Sequence, residues 1–420
     1  MTATVSAKKL VPLLEGFELQ YDPKYEKFYP TLLKQLLPVT QLLQQLDSSP
    51  TIHAYFDEVG QRFINTNSYS AKSQKMLFAR MDKLKKVVSS NSAKRNMSEL
   101  TPNDIARIKR ELPKALTRQA RSSNQSESIQ TYYRLFNRVM AEALNDQFIT
   151  TQLKLSIPAT KKKAENTKPF SVDEISSLLQ GWPYQQYSEE QARTLACEAH
   201  ASRFWLLPLG LFTGARLNEL CQLRAHDIRR DGYGVWVISI NDDGYNKSIK
   251  NEQSRREIPI CSALINMGFL YYVWERRDQS GSAAQLFPEL SFSREHLYSR
   301  VASRFFCGNA TGRGYIGTHC ERAAEGSLNF KSLRRSFAQR LQASGVTDSV
   351  ISHLLGHRGS TYQVTQKHYL DSPFSESLQE TLEQGLRYGV ELTHVNWDNY
   401  KSLMLAQAGR KKRGRRSTHN

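Results

Sequence analysis

Cysteine is scarce in this sequence, and long apolar runs are missing from it. Its five cysteines are scattered at positions 197, 221, 261, 307 and 320, with no CxxC pair. So few cysteines in 420 residues argue against a disulfide framework. No run of about 18 apolar residues is present, which argues against a transmembrane helix and a membrane partner. The first residues also lack an apolar segment with a small-residue cleavage site, so we expect a cytoplasmic protein.

Acidic residues are outnumbered by basic ones. The chain has 58 Lys and Arg against 40 Asp and Glu, a formal net charge of +18. Such an excess attracts a polyanion, because neutralising phosphates releases their counterions. The charge favours a nucleic acid partner, although many basic proteins bind none. The basic run in residues 410–416 is expected to be disordered, within a basic C-terminal tail at 401–420, and it either follows phosphates or is simply solvated.

Helical periodicity dominates the first part of the chain. Apolar residues recur at three-to-four spacing in residues 1–50 and again in 51–158, which predicts an N-terminal helical arm and a domain of four or five helices. Pro102 lies at an expected helix start. Residues 159–169 are polar, basic and close to prolines, a composition typical of a linker.

Residues 170–400 combine helical patterns with two strand patterns. Val235–Ile240 and Arg256–Ile260 are rich in β-branched residues, and a polar, glycine-containing stretch connects them. We expect these strands to pair in a small antiparallel sheet. Ser171 followed by Glu174 predicts a capped helix start. The fold class is therefore mainly α with a small antiparallel β-sheet.

One candidate site residue follows a helix end. An apolar helix is expected to end at Thr213-Gly214, which places Arg216 in the first turn of the next helix. A guanidinium beside helix N-terminal amides is well suited to bind phosphate. Glu219 could orient Arg216, and the alternative is an ordinary surface ion pair.

Three further segments contain polar candidates. Lys250 precedes the second strand and could protonate a departing alkoxide if its neighbours lower its pKa. Lys331 and Arg334 lie at the start of an amphipathic helix. His357 follows Leu-Leu-Gly, and Tyr369 follows a short polar stretch. Taken alone, each of these segments is more typical of a solvated lysine, an ordinary helix or a surface tyrosine.

Together and in this order, the four segments resemble the catalytic domain of tyrosine recombinases, the phage integrase family. In that family an arginine follows Thr-Gly at a helix start, and a lysine precedes an Arg-x-x-Pro strand. A His-x-x-Arg helix then leads to Leu-Gly-His and to a nucleophilic tyrosine. The matching residues are Arg216, Lys250, Arg334, His357 and Tyr369. The resemblance covers residues 170–375 and implies a helical core-binding domain at 51–158 and a mixed α/β catalytic domain at 170–400.

Two departures from the family pattern affect the expected chemistry. Lys331 stands where the family has the first histidine, and lysine cannot act as a neutral imidazole base. The stretch from His357 to Tyr369 is longer than is common in the family and contains a rival nucleophile, Tyr362. We favour Tyr369 because it follows Thr-x-x-x and precedes Pro373.

The resemblance implies a site-specific recombinase or integrase that moves a mobile genetic element. The Tyr369 hydroxyl would attack a DNA phosphodiester and form a 3′-phosphotyrosyl bond. Arg216 and Arg334 would bind the phosphate oxygens, with support from Lys331. His357 would hydrogen-bond the phosphate or help to remove the tyrosine proton, and Lys250 would protonate the leaving 5′-oxygen.

The implied partner is double-stranded DNA, bound by a homotetramer in the nucleoid. No cofactor or metal is expected, because the covalent intermediate retains the bond energy. Two alternatives stay open. One is a type IB-like topoisomerase. The other is a DNA-binding or regulatory member with weakened catalysis, which Lys331 and the long stretch before Tyr369 would fit.

Overall fold

The computed structural model describes most of the chain, in segments that are given by number. They are residues 49–67, 69–90, 92–117, 125–157, 167–186, 190, 198–309, 312–357 and 374–414. These residues fall into two compact units, one within residues 1–163 and the other within 164–420. Tyr362, Tyr369, nearly all of the predicted N-terminal arm and most of the predicted linker lie outside the described residues.

The first unit is helical in its described part. Its α-helices are α1 (Ile52–Thr66), α2 (Ala71–Val88), α3 (Pro102–Thr117) and α4 (Gln125–Asn145). Their apolar faces share one core, in which Tyr55, Phe56 and Phe136 are fully buried. Pro102 opens α3 as the sequence predicts, because a proline at a first helical position loses no hydrogen bond.

Asp104 connects the start of α3 to the end of α2. Its carboxylate accepts hydrogen bonds from both terminal nitrogens of Arg95, at 2.9 and 2.7 Å, and from the Thr101 N–H at 2.9 Å. Arg107 Nη2 donates to Asp104 at 3.1 Å and to the Val88 carbonyl at 2.8 Å. Burial alone would raise the pKa of Asp104, but these donors outweigh it and hold that pKa well below its usual value.

Replacing Asp104 with Asn should lower the free energy of unfolding by about 3 kcal/mol, because two arginines lose a buried anionic partner. Urea denaturation of the full chain measures this loss. Since folding lowers the pKa of Asp104, its contribution is complete above about pH 4 and declines below it, so the variant should lose less stability in acid. The control is Glu111→Gln on the same helix, where the carboxylate pairs with exposed Arg110 and Lys114. Equal losses from the two variants would contradict the role given to Asp104.

The second unit contains most of the secondary structure. Before its sheet lie α5 (Val172–Leu179), α6 (Ala201–Thr213) and α7 (Leu217–Cys221). After it lie α8 (Ser262–Asn266), α9 (Phe269–Ser280), α10 (Ser299–Cys307), α11 (Tyr315–His319), α12 (Lys331–Ala343), α13 (Asp348–Leu355), α14 (Phe374–Gly385) and α15 (Trp397–Gly414). Ser171 and Glu174 form the predicted cap of α5, each side chain accepting the other's backbone N–H. Among the described residues, no helix combines the length and apolarity needed to cross a bilayer.

A three-stranded antiparallel sheet forms the β part of this unit. Its order is β1 (Ile228–Arg230), β2 (Trp236–Ile240) and β3 (Arg256–Pro259). Ile238 lies opposite both Ile228 and Ile258, and all three are fully buried. The pairing of β2 with β3 confirms the sequence prediction. β1 was not predicted, because a three-residue strand is too short to show alternation. A second, two-stranded sheet joins β4 (Gly308–Asn309) to β5 (Gly312–Arg313).

The last two helices pack on the unit that contains them. Leu378, Leu382 and Leu386 of α14 lie in its hydrophobic core. α15 continues through Gly414, so the basic run predicted to be disordered is helical up to that residue. The reason is that Trp397 and its packed neighbours start the helix, and the alanine, lysine and arginine residues that follow are good helix formers.

Candidate functional site

The site is built where α6 ends and α7 begins. α6 is buried along almost its whole length and ends at Gly214, whose φ is 61°. A Cβ at this position would also lie 2.6 Å from Phe337 Cδ1, so both the backbone and the packing require glycine. Arg216 follows in extended conformation and caps α7 instead of lying in its first turn. The predicted helix break is confirmed, and it leaves the Arg216 side chain 28% exposed.

The Glu219 carboxylate joins two arginines. Its Oε1 accepts a hydrogen bond from Arg216 Nη1 at 2.6 Å, and its Oε2 accepts one from the Arg216 backbone N–H at 2.9 Å. Oε2 also accepts a hydrogen bond from Arg256 Nη2 at 2.9 Å. Burial alone would raise the pKa of Glu219, but the charge and hydrogen bonds of Arg256 and Arg216 lower it. Glu219 is therefore ionised, and it orients Arg216 as the sequence suggested.

Arg256 is a member of the site that the sequence analysis did not select. Its side chain is 1% exposed, and it donates to the carbonyls of Leu354 at 2.6 Å and Ser254 at 2.7 Å. A signal for it was present, because strand alternation puts Arg256 on the same face of β3 as buried Ile258. A charged side chain on an inward face requires a buried partner.

Arg334 joins the C-terminal ends of two helices. It lies on α12 and donates to the carbonyl of Gly214, at the end of α6, at 2.8 Å, and to the carbonyl of Leu355, at the end of α13. Helix C-terminal carbonyls carry partial negative charge and favour a cation. Burial, followed by repulsion from Arg216 and Arg256, lowers the pKa of Arg334 to about 9. It is still protonated at neutral pH.

His357 and Lys250 lie on the exposed side of this cluster. His357 directly follows Gly356, whose φ of 63° ends α13. Partial desolvation lowers the pKa of His357, and so do the charges of Arg334, Arg216, Arg256 and Lys250. A lowered pKa keeps the imidazole neutral at neutral pH, so it can accept a proton or a hydrogen bond. The structure thus brings Arg216, Arg334, His357 and Lys250 together.

Two predicted site residues, Lys331 and Tyr369, are not placed in this cluster by the described part of the structure. Lys331 is the exposed first residue of α12, one turn before Arg334, and its backbone N–H donates to Asn329 Oδ1 at 2.9 Å. Among the described residues, the hydrogen bonds to Glu219 come from Arg216 and Arg256 and not from the Lys331 ammonium group. Tyr369 lies outside the described residues, so its place in the site stays a prediction.

Replacing Arg256 with Met should lower the free energy of unfolding by about 3–5 kcal/mol, because it leaves the Glu219 carboxylate buried without one of its cations. The adjacent arginine supplies a matched control, since Arg255 is 48% exposed and pairs with Asp242 and Asp243 at the surface. Arg255→Met should leave the denaturation midpoint nearly unchanged. Similar midpoints for the two variants would show that the buried ion pair does not stabilise the fold.

The family assignment follows from the segment that contains this cluster. Residues 188–376 match the model of the phage integrase family. This match supports the assignment to the phage integrase family, the tyrosine recombinases, that the motifs predict. The comparison with curated proteins gave no match.

Solved structures of integrases are similar to this chain. A lambda integrase dimer bound to a COC′ core site is 19% identical, with 87% of each chain covered and a TM-score of 0.47. A lambda integrase tetramer bound to a Holliday junction is 17% identical, covering 87% of this chain and 88% of that one, with a TM-score of 0.44. The Tn1549 transposon integrase in complex with circular intermediate DNA is 16% identical, covering 79% and 99%, with a TM-score of 0.46.

Proposed function

We propose that this protein is a DNA strand transferase that cuts and rejoins DNA at specific sites through a phosphotyrosyl bond to Tyr369. Its biological role would be to move a mobile genetic element. The observation that carries the proposal is the arginine cluster, in which Arg216 and Arg256 share the Glu219 carboxylate and Arg334 lies close enough to be repelled by both cations. The proposal also rests on the match of residues 188–376 to the phage integrase family.

The charge of the cluster favours an added anion. The guanidiniums of Arg216, Arg256 and Arg334 carry three positive charges, and the Glu219 carboxylate neutralises one. The lowered pKa of Arg334 reflects burial and the repulsion between neighbouring cations. A phosphodiester would relieve that repulsion. Arg216 and Arg334 could each offer paired N–H donors to its oxygens. The hydrogen bonds from these donors become stronger as negative charge accumulates on the phosphate oxygens during attack.

The proton movements of the proposed cleavage step balance. The Tyr369 oxygen attacks phosphorus, and the bond from phosphorus to the 5′-oxygen breaks. The tyrosine proton passes to the neutral imidazole of His357, and Lys250 gives a proton to the leaving 5′-oxygen. Lys331 would add positive charge beside the phosphate. A 5′-hydroxyl then attacks the phosphotyrosyl bond in the reverse step, so neither a metal nor a nucleotide cofactor is required.

Double-stranded DNA is the partner that we propose. The helical domain at 51–158 would be the core-binding domain, joined by the linker at 159–169 to the catalytic domain at 170–400. On α2 of the first unit, Lys72 and Lys86 are exposed, whereas Lys85 is neutralised by Asp57 and Asp82. Exchange between two duplexes requires four cleavages, which favours a homotetramer on DNA. Such a protein would act at the nucleoid.

A pool of nicked duplexes with randomised sequence tests the covalent step and also finds the DNA site. Because the nick lets the cut fragment diffuse away, a tyrosine recombinase accumulates an adduct that survives SDS. The wild-type chain should form such an adduct and Tyr369→Phe should not, since the nucleophilic oxygen is gone. Tyr362→Phe is the matched control and should retain it.

The other outcomes are equally informative. An adduct that persists in Tyr369→Phe and vanishes in Tyr362→Phe would make Tyr362 the nucleophile. The absence of any adduct on DNA that the chain binds would favour a regulatory DNA-binding protein. Efficient relaxation of a supercoiled plasmid that lacks the selected site would favour a topoisomerase.

The pH dependence of adduct formation tests the role of His357. Because the pKa of His357 is lowered, its neutral form should persist below the ordinary histidine pKa of about 6.5. With DNA below saturation, the pH dependence of the rate constant reflects the pKa of His357 in the free enzyme. The rate constant should therefore fall only below about pH 6.5. His357→Asn should be slower and should lose this acidic limb. A limb centred above pH 6.5, or one that persists in His357→Asn, would exclude the histidine as the base.

A further inference from the structure

The loop that carries Lys250 has a buried anchor. This loop, residues 241–255, connects β2 to β3, and Lys250 is exposed within it. Three residues earlier, Lys247 turns inward, and its side chain is only 1% exposed. Its Nζ lies 2.8 and 2.9 Å from the two carboxylate oxygens of Asp227, and it also donates to Asn241 Oδ1. A buried ammonium group of this kind is stable only while its carboxylate partner is present.

Asp227 is itself held by the protein framework. Its side chain is 1% exposed and lies in the turn directly before β1. It accepts the Arg224 backbone N–H at 2.7 Å and the Asn241 Nδ2 at 2.9 Å. The ion pair between Lys247 and Asp227 therefore ties the loop to the turn that precedes β1.

The loop has further contacts on both sides of Lys250. The Ser248 N–H donates to Gln222 Oε1, at the end of α7, at 2.9 Å. On the other side, Ser254 Oγ donates to Asn251 Oδ1 at 2.9 Å and accepts a hydrogen bond from Arg216 Nη1 at 3.3 Å. On both sides of Lys250 the loop is thus hydrogen-bonded to α7, the helix whose start presents Arg216.

We propose that the buried pair of Lys247 and Asp227 positions Lys250 for proton transfer to the leaving 5′-oxygen. The inference rests on the proposed function, because it assigns Lys250 the role of acid. Proton transfer requires hydrogen-bond reach, about 2.6–3.2 Å between heavy atoms. An exposed lysine on an untethered loop would spend little time within that distance. The buried pair restricts the movement of the loop and so keeps Lys250 within reach of the 5′-oxygen.

A substrate with sulfur in place of the bridging 5′-oxygen separates positioning from folding. A thiol has a pKa of about 8.5, so sulfur leaves as a thiolate without needing a proton. On the duplex selected above, Lys250→Ala should cleave the oxygen substrate about a hundredfold more slowly than wild type, within the usual range for a general acid. Lys247→Met should cleave it at least about tenfold more slowly. Both variants should cleave the sulfur substrate at nearly the wild-type rate.

Two further variants complete the experiment. Lys401→Met removes another lysine–carboxylate pair of the same unit, the one with Glu275, and should cleave both substrates normally. Asp227→Asn breaks the buried pair but retains an acceptor for the Arg224 N–H, and it should repeat the behaviour of Lys247→Met. If Lys247→Met fails to fold, Asp227→Asn tests the positioning role in its place.

The possible failures are distinguishable. If sulfur does not rescue Lys250→Ala, the proposed role of Lys250 as the acid is wrong. If sulfur rescues Lys250→Ala but neither Lys247→Met nor Asp227→Asn, the positioning inference alone is overturned. Normal cleavage of the oxygen substrate by both pair variants would also overturn it.

Discussion

The site depends on one buried carboxylate, that of Glu219. It is shared by Arg216 and Arg256, which belong to different elements, and Arg256 also reaches the Leu354 carbonyl near the end of α13. Removing charges from water is costly, and the cost is offset only when each charge meets several well-placed partners. The positions of α7, β3 and α13 are therefore coupled through a few hydrogen bonds, which orient Arg216 before any ligand arrives.

The ends of two helices provide the remaining electrostatic support. Gly214 and Gly356 end α6 and α13 in the left-handed conformation, so carbonyls at both ends are available to Arg334. Partial negative charge at these ends favours the guanidinium, while burial and its cationic neighbours disfavour it. The balance leaves Arg334 protonated in surroundings that favour an added anion. This combination gives the cluster its suitability for phosphate.

The features that could be predicted from the sequence have local determinants. The helix break at Gly214 and the relation of Glu219 to Arg216 span a few residues, and the pairing of β2 with β3 follows from alternation around one polar loop. β1 could not be predicted, because it is too short to show a period, and neither could the helical conformation of the basic run, because that helix begins from packed residues near Trp397. Arg256 was overlooked although strand alternation places it on the inward face of β3, and Lys247 was overlooked because nothing local indicates its burial.

The order of the motifs, the mainly helical class and the helix break before Arg216 follow from the sequence alone. These depend on backbone geometry, capping and periodicity, which act over a few neighbouring residues. Which charges are buried, and which partner each one has, depends on the tertiary fold. Arg256 reaches a carbonyl 98 residues away and Arg334 one 120 residues away. Such pairings are set by the packing of whole elements, since a charge is stable in the interior only where distant parts of the chain bring it a partner.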